Sequence, residues 1–222
     1  MTFFAGNRPG RRGKPLLAAA AALAALSCAG AGALRDPAVS DPRSPDVWRA
    51  RFEMTSGVFV VEVHREWAPR GADRFHRLVR AGYYDDSRIF RVIPGYIVQF
   101  GIAGDPRLAR AWRYAYFPDD RSARPCARGM VAFADRAPNT RATQLFVNLA
   151  DNPSLDTGEF APFGRVVAGM DVVERFHGYG RAGPQGERTD QGAIFDGGNG
   201  YLDARYPALD SILRVRVVRP QR

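Results

Sequence analysis

Cysteine is scarce in this chain. Its 222 residues hold only Cys28 and Cys126, with no C-x-x-C pair, which excludes a zinc knuckle or a thioredoxin-type dithiol. Histidine is nearly as rare. His64, His76 and His177 do not lie at ligand spacing from one another, so the sequence offers no metal centre. Lys14 is the one lysine among 32 basic side chains, and the arginines beyond it form no long run. The net charge of +9 falls to +5 once Arg8, Arg11, Arg12 and Lys14 are set aside, leaving a mildly basic surface rather than a nucleic-acid footprint. No repeat of fixed period occurs, and the apolar run from Leu16 to Leu26 is shorter than the roughly 20 residues that span a bilayer, which makes a permanent transmembrane anchor the weaker reading.

The first 33 residues have the three parts of an export signal. A basic stretch at 7–14 precedes an apolar run from Leu16 to Leu26, and the small residues Ser27 to Ala33 follow. Two processing routes are open. Ala31-Gly32-Ala33 fits a small-x-small cleavage site. Leu26-Ser27-Cys28 approximates a lipobox, in which Cys28 is the lipidation candidate, although Ala25 stands where the usual leucine belongs. Residues 34–46 contain three prolines and no periodicity, and read as a linker. Residues 47–222 remain as one domain.

Within that domain, 47–54 and 58–63 alternate like strands around a turn at Thr55-Ser56-Gly57. Pro69 opens an amphipathic helix, with Ala72, Phe75, Leu78 and Val79 on the buried stripe and Arg74, Arg77 and Arg80 on the other side. Further strands are expected at 89–93, 96–101, 130–134, 144–149, 163–167 and 212–218, and a second helix at 170–176. Residues 178–200, rich in glycine and polar side chains, read as a long loop. The Arg-rich stretch 105–128 has no assignment. Many short strands with two helices indicate a mainly β protein, a closed barrel or a sandwich.

Three blocks make the reading specific. The first is Gly82-Tyr83-Tyr84-Asp85 with Ile89-Phe90-Arg91-Val92-Ile93-Pro94-Gly95-Tyr96-Ile97-Val98-Gln99. The second is Ala134, Pro138-Asn139-Thr140 and Thr143-Gln144-Leu145-Phe146-Val147. The third is Leu155-Asp156 with Phe160-Ala161-Pro162-Phe163-Gly164. In order and spacing they resemble the cyclophilin-type peptidyl-prolyl cis/trans isomerases, over about residues 47–218. The resemblance implies a closed antiparallel eight-stranded β-barrel capped by two helices. It places Arg91 on the family's catalytic arginine and Gln99 beside it as a catalytic polar group. It puts Tyr96, Ile97, Phe146 and Leu155 around the proline pocket and Gln144 on the substrate backbone. Ala134 and Asp135 fall on the edge segment that pairs with the extended peptide. Phe90 and Phe160 stand at substrate-binding positions where members often have histidine, and Ser154 replaces an aromatic residue, which counts against tight cyclosporin binding.

The chemistry accounts for these residue types. Rotation about a peptide bond crosses a barrier of about 18–20 kcal/mol, and at X-Pro exchange takes tens to hundreds of seconds. No bond is made or broken, so no nucleophile, metal or cofactor is expected. What is needed is an environment that stabilises the twisted amide more than the planar one, with a permanently charged donor aimed at the nitrogen whose lone pair rotation frees. The expected partners are proline-containing polypeptides, unfolded or exported, and no nucleic acid. Membrane attachment would run through a lipid on Cys28, and the chain is expected to be a monomer. Two other readings stay open: a catalytically weak proline-binding or chaperone module with the same fold, and an unrelated ligand-binding barrel with an apolar interior cavity.

Overall fold

The computed structural model describes Met1 and residues 36–158, 160–177 and 189–219. The leader with Cys28, and residues 178–188 of the expected loop, lie outside the described residues.

Nine strands form one antiparallel sheet: β1 Val47–Met54, β2 Gly57–His64, β3 Ser87–Arg88, β4 Arg91–Ile93, β5 Ile97–Phe100, β6 Met130–Phe133, β7 Leu145–Asn148, β8 Gly164–Ala168 and β9 Ser211–Val218. Their order is β3-β9-β1-β2-β8-β6-β7-β5-β4. The outermost strands, β3 and β4, are consecutive in the chain, with only Ile89 and Phe90 between them. Three residue steps reach at most about 11 Å, so the covalent chain draws the two ends of the sheet together and the sheet must roll up. Both connecting residues are buried in the core. The barrel character expected from the sequence is realised with nine strands, two of them very short, and the chain rather than a ladder joins its ends.

Alternation fills the interior. Trp48, Ala50, Phe52 and Met54 of β1 and Phe59, Val61 and Val63 of β2 are buried, and Phe52 stacks on Phe59 with ring centroids 4.4 Å apart. Helix α1 (Pro69–Arg80) begins at its proline and inserts Phe75 among Trp48, Phe52 and Phe163. In β9, Ile212 and Val215 are both buried although three positions apart. The register against β1 slips between Glu53 and Met54, leaving Leu213 as the extra, exposed residue of a bulge.

Four expectations are corrected. Among the described residues there are four helices, not two: α1, α2 (Pro106–Trp112), α3 (Met170–Glu174) and α4 (Gln191–Arg205). The unassigned 105–128 stretch contains α2, capped by the Asp105 side chain accepting from Arg107 N at 2.8 Å, with Trp112 fully buried. The second part of the expected 178–200 loop is helical. Asp190 caps α4 by accepting from Gly192 N at 2.7 Å, while Ile194, Phe195 and Leu202 are drawn into the core. The glycines that suggested a loop make a kink instead: Gly198 has φ 57°, and a Cβ there would sit 2.2 Å from the Gly104 carbonyl oxygen.

The fourth correction concerns Arg74 and Arg77, which are buried rather than solvent-facing. The segment before β1, expected to be a linker, lies across α1. Asp41 accepts from Arg74 Nε at 2.8 Å and Arg77 Nη1 at 3.2 Å, and Arg77 Nη2 donates to the Asp36 carbonyl at 2.7 Å. Both guanidinium groups lie over the Trp112 ring, at 5.4 and 4.9 Å. Helical periodicity cannot show that a second layer, made by α2 and this strap, covers the polar face of α1.

Candidate active site

Period-two alternation separates core from site along four strands. Val92, Val98, Phe100, Leu145, Val147, Val131 and Phe133 belong to the main core. The residues between them point the other way, and register aligns them: Arg91 pairs with Gln99, Gln99 with Phe146, and Phe146 with Ala132. Adjacent strands lie about 4.8 Å apart, so β4, β5, β7 and β6 present a polar-to-apolar row on the outer face. It begins at an arginine and ends at a small residue beneath an aromatic ring.

The polar end is a chain of side-chain hydrogen bonds. Arg91 Nη1 donates to Gln99 Oε1 at 2.7 Å, and Gln99 Nε2 donates to Gln144 Oε1 at 2.8 Å. Gln144 Nε2 then donates to Gln191 Oε1 at 3.3 Å, which also receives Arg136 Nη2 at 3.4 Å. Gln99 is buried, so its amide orientation is set by this pairing.

The apolar end is a small cluster apart from the main core. Ile97, Ala132 and Phe146 are buried, with Ile93, Tyr96, Ala134, Leu155 and Phe160 packed against them. Phe160 meets Phe146 edge-on, centroids 5.3 Å apart. The loop carrying Tyr96 is tied down from behind: Leu149 N and Asn152 Nδ2 both donate to the Tyr96 carbonyl, at 2.8 and 3.0 Å. Asn152 Nδ2 also donates to Asn148 Oδ1 at 2.7 Å, and Asn148 Nδ2 donates to the Met130 carbonyl at 3.0 Å. Leu155 closes a short 3₁₀ turn, and Asp156 accepts from Cys126 N at 2.6 Å. The Cys126 thiol behind this wall is pushed up to about 12, first by burial and then by the Asp156 charge, so it stays protonated and unreactive at neutral pH.

Together these residues line a groove of about 280 Å³. Of the residues expected at the site, it unites Arg91, Gln99, Tyr96, Ile97, Ala134, Asp135, Gln144, Phe146, Leu155 and Phe160. Ala134 and Asp135 continue β6 past its last pairing with β8 at Val131, while Ala134 N still donates to the Gln144 carbonyl at 2.9 Å. That leaves this stretch running beside β7 on one side only. Phe90 is the exception and is corrected here. It is buried in the main core, and its carbonyl accepts from Thr189 Oγ1 at 2.7 Å. As the residue that joins the sheet's two ends, it points inward while Arg91 points outward.

Sequence reasoning missed the groove's second wall. Arg113, Tyr114 and Tyr116 come from the segment after α2, and Gln191 and Phe195 come from α4. The aromatic-basic run Trp112 to Phe117 was the available signal, but nothing local to it shows which surface it faces.

The family profile described as "Cyclophilin type peptidyl-prolyl cis-trans isomerase/CLD" matches residues 49–194. Among curated proteins, the chain is 35% identical over 130 residues to "Peptidyl-prolyl cis-trans isomerase-like 1" of Gibberella zeae, covering 56% of this chain and 78% of that protein. It is 28% identical over 187 residues to a "Probable peptidyl-prolyl cis-trans isomerase" of Brucella abortus, covering 79% and 88%. Among solved structures, a cyclophilin type peptidyl-prolyl cis-trans isomerase of Cryptosporidium parvum superposes with a TM-score of 0.59 at 20% identity, covering 79% of this chain and 99% of that one. A second structure of that protein, in the presence of the dipeptide Ala-Pro, gives 0.56. Matched by the family's profile along most of its length and folded like solved members, this chain belongs to the cyclophilin-type peptidyl-prolyl cis-trans isomerase family.

Proposed function

We propose that this isomerase accelerates X-Pro rotation in exported polypeptides, with Arg91 as the group that favours the twisted amide. The observation that carries the reading is the placement of one guanidinium, oriented by Gln99 at 2.7 Å, in the same groove as the apolar cluster of Ile97, Phe146, Leu155 and Phe160. The cluster of Ile97, Phe146, Leu155 and Phe160 holds the proline ring while the Ala134–Asp135 edge engages the extended chain on one side of it. As the amide twists, the nitrogen lone pair leaves conjugation with the carbonyl, and an Arg91 N–H donates to it. That hydrogen bond is weak in either planar isomer and strong at the top of the barrier, which is the condition for lowering it. The Ala-Pro dipeptide associated with the Cryptosporidium parvum relative supports proline-containing peptides as the substrate class.

The test is isomerisation of a short X-Pro peptide by wild type and Arg91→Ala. Each tenfold change in rate corresponds to about 1.4 kcal/mol, and a charge-assisted donor in a sheltered pocket supplies about 3–4 kcal/mol. The expected loss is therefore at least about a hundredfold, with circular dichroism unchanged. A folded wild type without turnover would leave the proline-binding module as the reading.

The basic, apolar and small-residue parts of the leader support export to the periplasm, by cleavage after Ala33 or, alternatively, with a lipid on Cys28 that tethers the protein to a membrane; the first route is the simpler case. The mature N-terminus of the exported protein is then expected at Leu34. Incorporation of labelled palmitate that is lost in Cys28→Ala would replace this with the lipidated form.

A further inference from the structure

Arg91 and the proline pocket take up one half of the groove. The other half is walled by residues that the rotation step does not use: Arg113, Tyr114 and Tyr116 after α2, Arg136 after β6, and Phe195 of α4. The Arg113 guanidinium lies over the Phe195 ring at 4.8 Å and over Tyr114 at 5.3 Å. Stacking fixes the plane of the fork and leaves its N–H donors directed along that plane rather than into the rings. Tyr114 and Tyr116, centroids 6.0 Å apart, remain 66% and 46% exposed. Two neighbouring aromatic rings left in water beside a groove provide area against which a peptide side chain can pack.

The charge along this wall is one-sided. The arginines lining the groove are Arg91, Arg113 and Arg136, and the carboxylate among its lining residues is Asp135. Asp135 is itself 3.9 Å from the buried Arg141 guanidinium, which Asp119 at 3.0 Å and Asp120 at 3.9 Å also face, so the groove lining sets three arginines against one carboxylate. Among the described residues neither Arg113 nor Arg136 has a carboxylate within 4.0 Å. A concave site with excess charge of one sign and low-dielectric aromatic walls concentrates the field on a flexible ligand. Planar forks of donors match carboxylates in particular.

We propose that this half of the groove is a specificity subsite for an aspartate or glutamate side chain carried within a few residues of the substrate proline. Arg113 is the selecting group and Arg136 adds to the field. The inference rests on the isomerase reading and names the clients it favours: proline segments with a nearby carboxylate.

The experiment compares kcat/KM for X-Pro peptides carrying glutamate or glutamine at successive positions on either side of the proline, at low ionic strength. At one or more positions glutamate is expected to be preferred by about threefold or more, in keeping with one partly exposed ion pair. Added salt erodes the preference. Arg113→Gln brings the ratio to about one, Arg113→Lys keeps part of it, and Arg113→Glu turns the preference towards lysine-containing peptides. A ratio near one at every position in wild type, or one that Arg113→Gln leaves unchanged, overturns the proposal. Absence of turnover on the glutamine peptides strikes the isomerase reading instead. The ratio of dissociation constants for the same peptide pairs, by calorimetry, then decides the subsite.

Discussion

A single carboxylate on the outer sheet face shows how register becomes energy. Glu62 of β2 pairs with Arg49 of β1 on one side and Arg165 of β8 on the other. Arg49 donates to it at 2.8 and 3.1 Å, Arg165 Nη2 at 3.2 Å, and the His64 ring approaches at 3.0 Å. These partners, Arg49 foremost, hold its carboxyl at about 2, below its ordinary 4.5. A carboxyl whose folded pKa is depressed stabilises the fold fully above its unfolded pKa, and loses that contribution as pH falls through the folded one. Urea midpoints of wild type and Glu62→Gln are therefore expected to differ most above about pH 5 and to converge towards pH 2. Equal midpoints at pH 7 would show that the row contributes nothing. Cys126 marks the other limit of local electrostatics, since burial beside Asp156 keeps its thiol neutral.

Among elements, the strap ahead of β1 has the clearest consequence. Asp41 is the carboxylate that faces both Arg74 and Arg77, whose side chains are 5% and 6% exposed. Removing one partner of a buried pair leaves an uncompensated charge and costs about 3–5 kcal/mol, far more than losing a surface bridge. Asp41→Ala is expected to lower stability by about 3 kcal/mol or more in urea unfolding, whereas Asp171→Ala, which breaks the exposed Arg175 pair of α3, should leave the urea midpoint nearly unchanged. Equal effects would mean that the strap is not part of the fold's foundation. Helix α4 is a second case. Thr189 holds the Phe90 carbonyl, and Gln191 joins the chain of hydrogen bonds from Arg91. One helix start thus braces the strand that carries Arg91 and the groove at once.

At the scale of the molecule, one continuous core includes Trp48 of the rolled sheet and Trp112 of α2. The two layers share α1, whose Phe75 faces the sheet interior while Arg74 and Arg77 lie under Trp112. A shared core of this kind unfolds as a unit. Tryptophan fluorescence and far-ultraviolet circular dichroism are expected to lose their signals at the same urea concentration, and two separated midpoints would mean that the α2–α4 layer opens independently. The rolled sheet also explains why the groove lies on the outside of the sheet. Its interior is filled by Phe52, Phe59, Phe100, Phe133 and Phe163, so the outer face of β4, β5, β7 and β6 carries the site.

The sequence by itself determined what depends on local chemistry. Alternation and turn residues marked the strands, Pro69 marked the start of α1, and the spaced blocks around Arg91, Gln144 and Leu155 named a family and most of one groove. The groove residues came with the family resemblance, and period two explains why they share a face, since the rule that buries Val92 and Val98 also turns Arg91 and Gln99 outward together. Only the tertiary structure decided what depends on partners distant in the chain. Arg74 and Arg77 read as solvent-facing because their cover comes from Asp41 and Trp112, more than 30 positions away in each direction. The 191–205 helix was hidden by glycines whose kink has meaning only against Gly104. The motif places Phe90 beside Arg91 at the site, yet a one-residue step reverses direction in a strand, and closure of the sheet sends it inward. The second wall of the groove needed α2, β6 and α4 brought to one place. Non-local packing does that, and no window of sequence contains it.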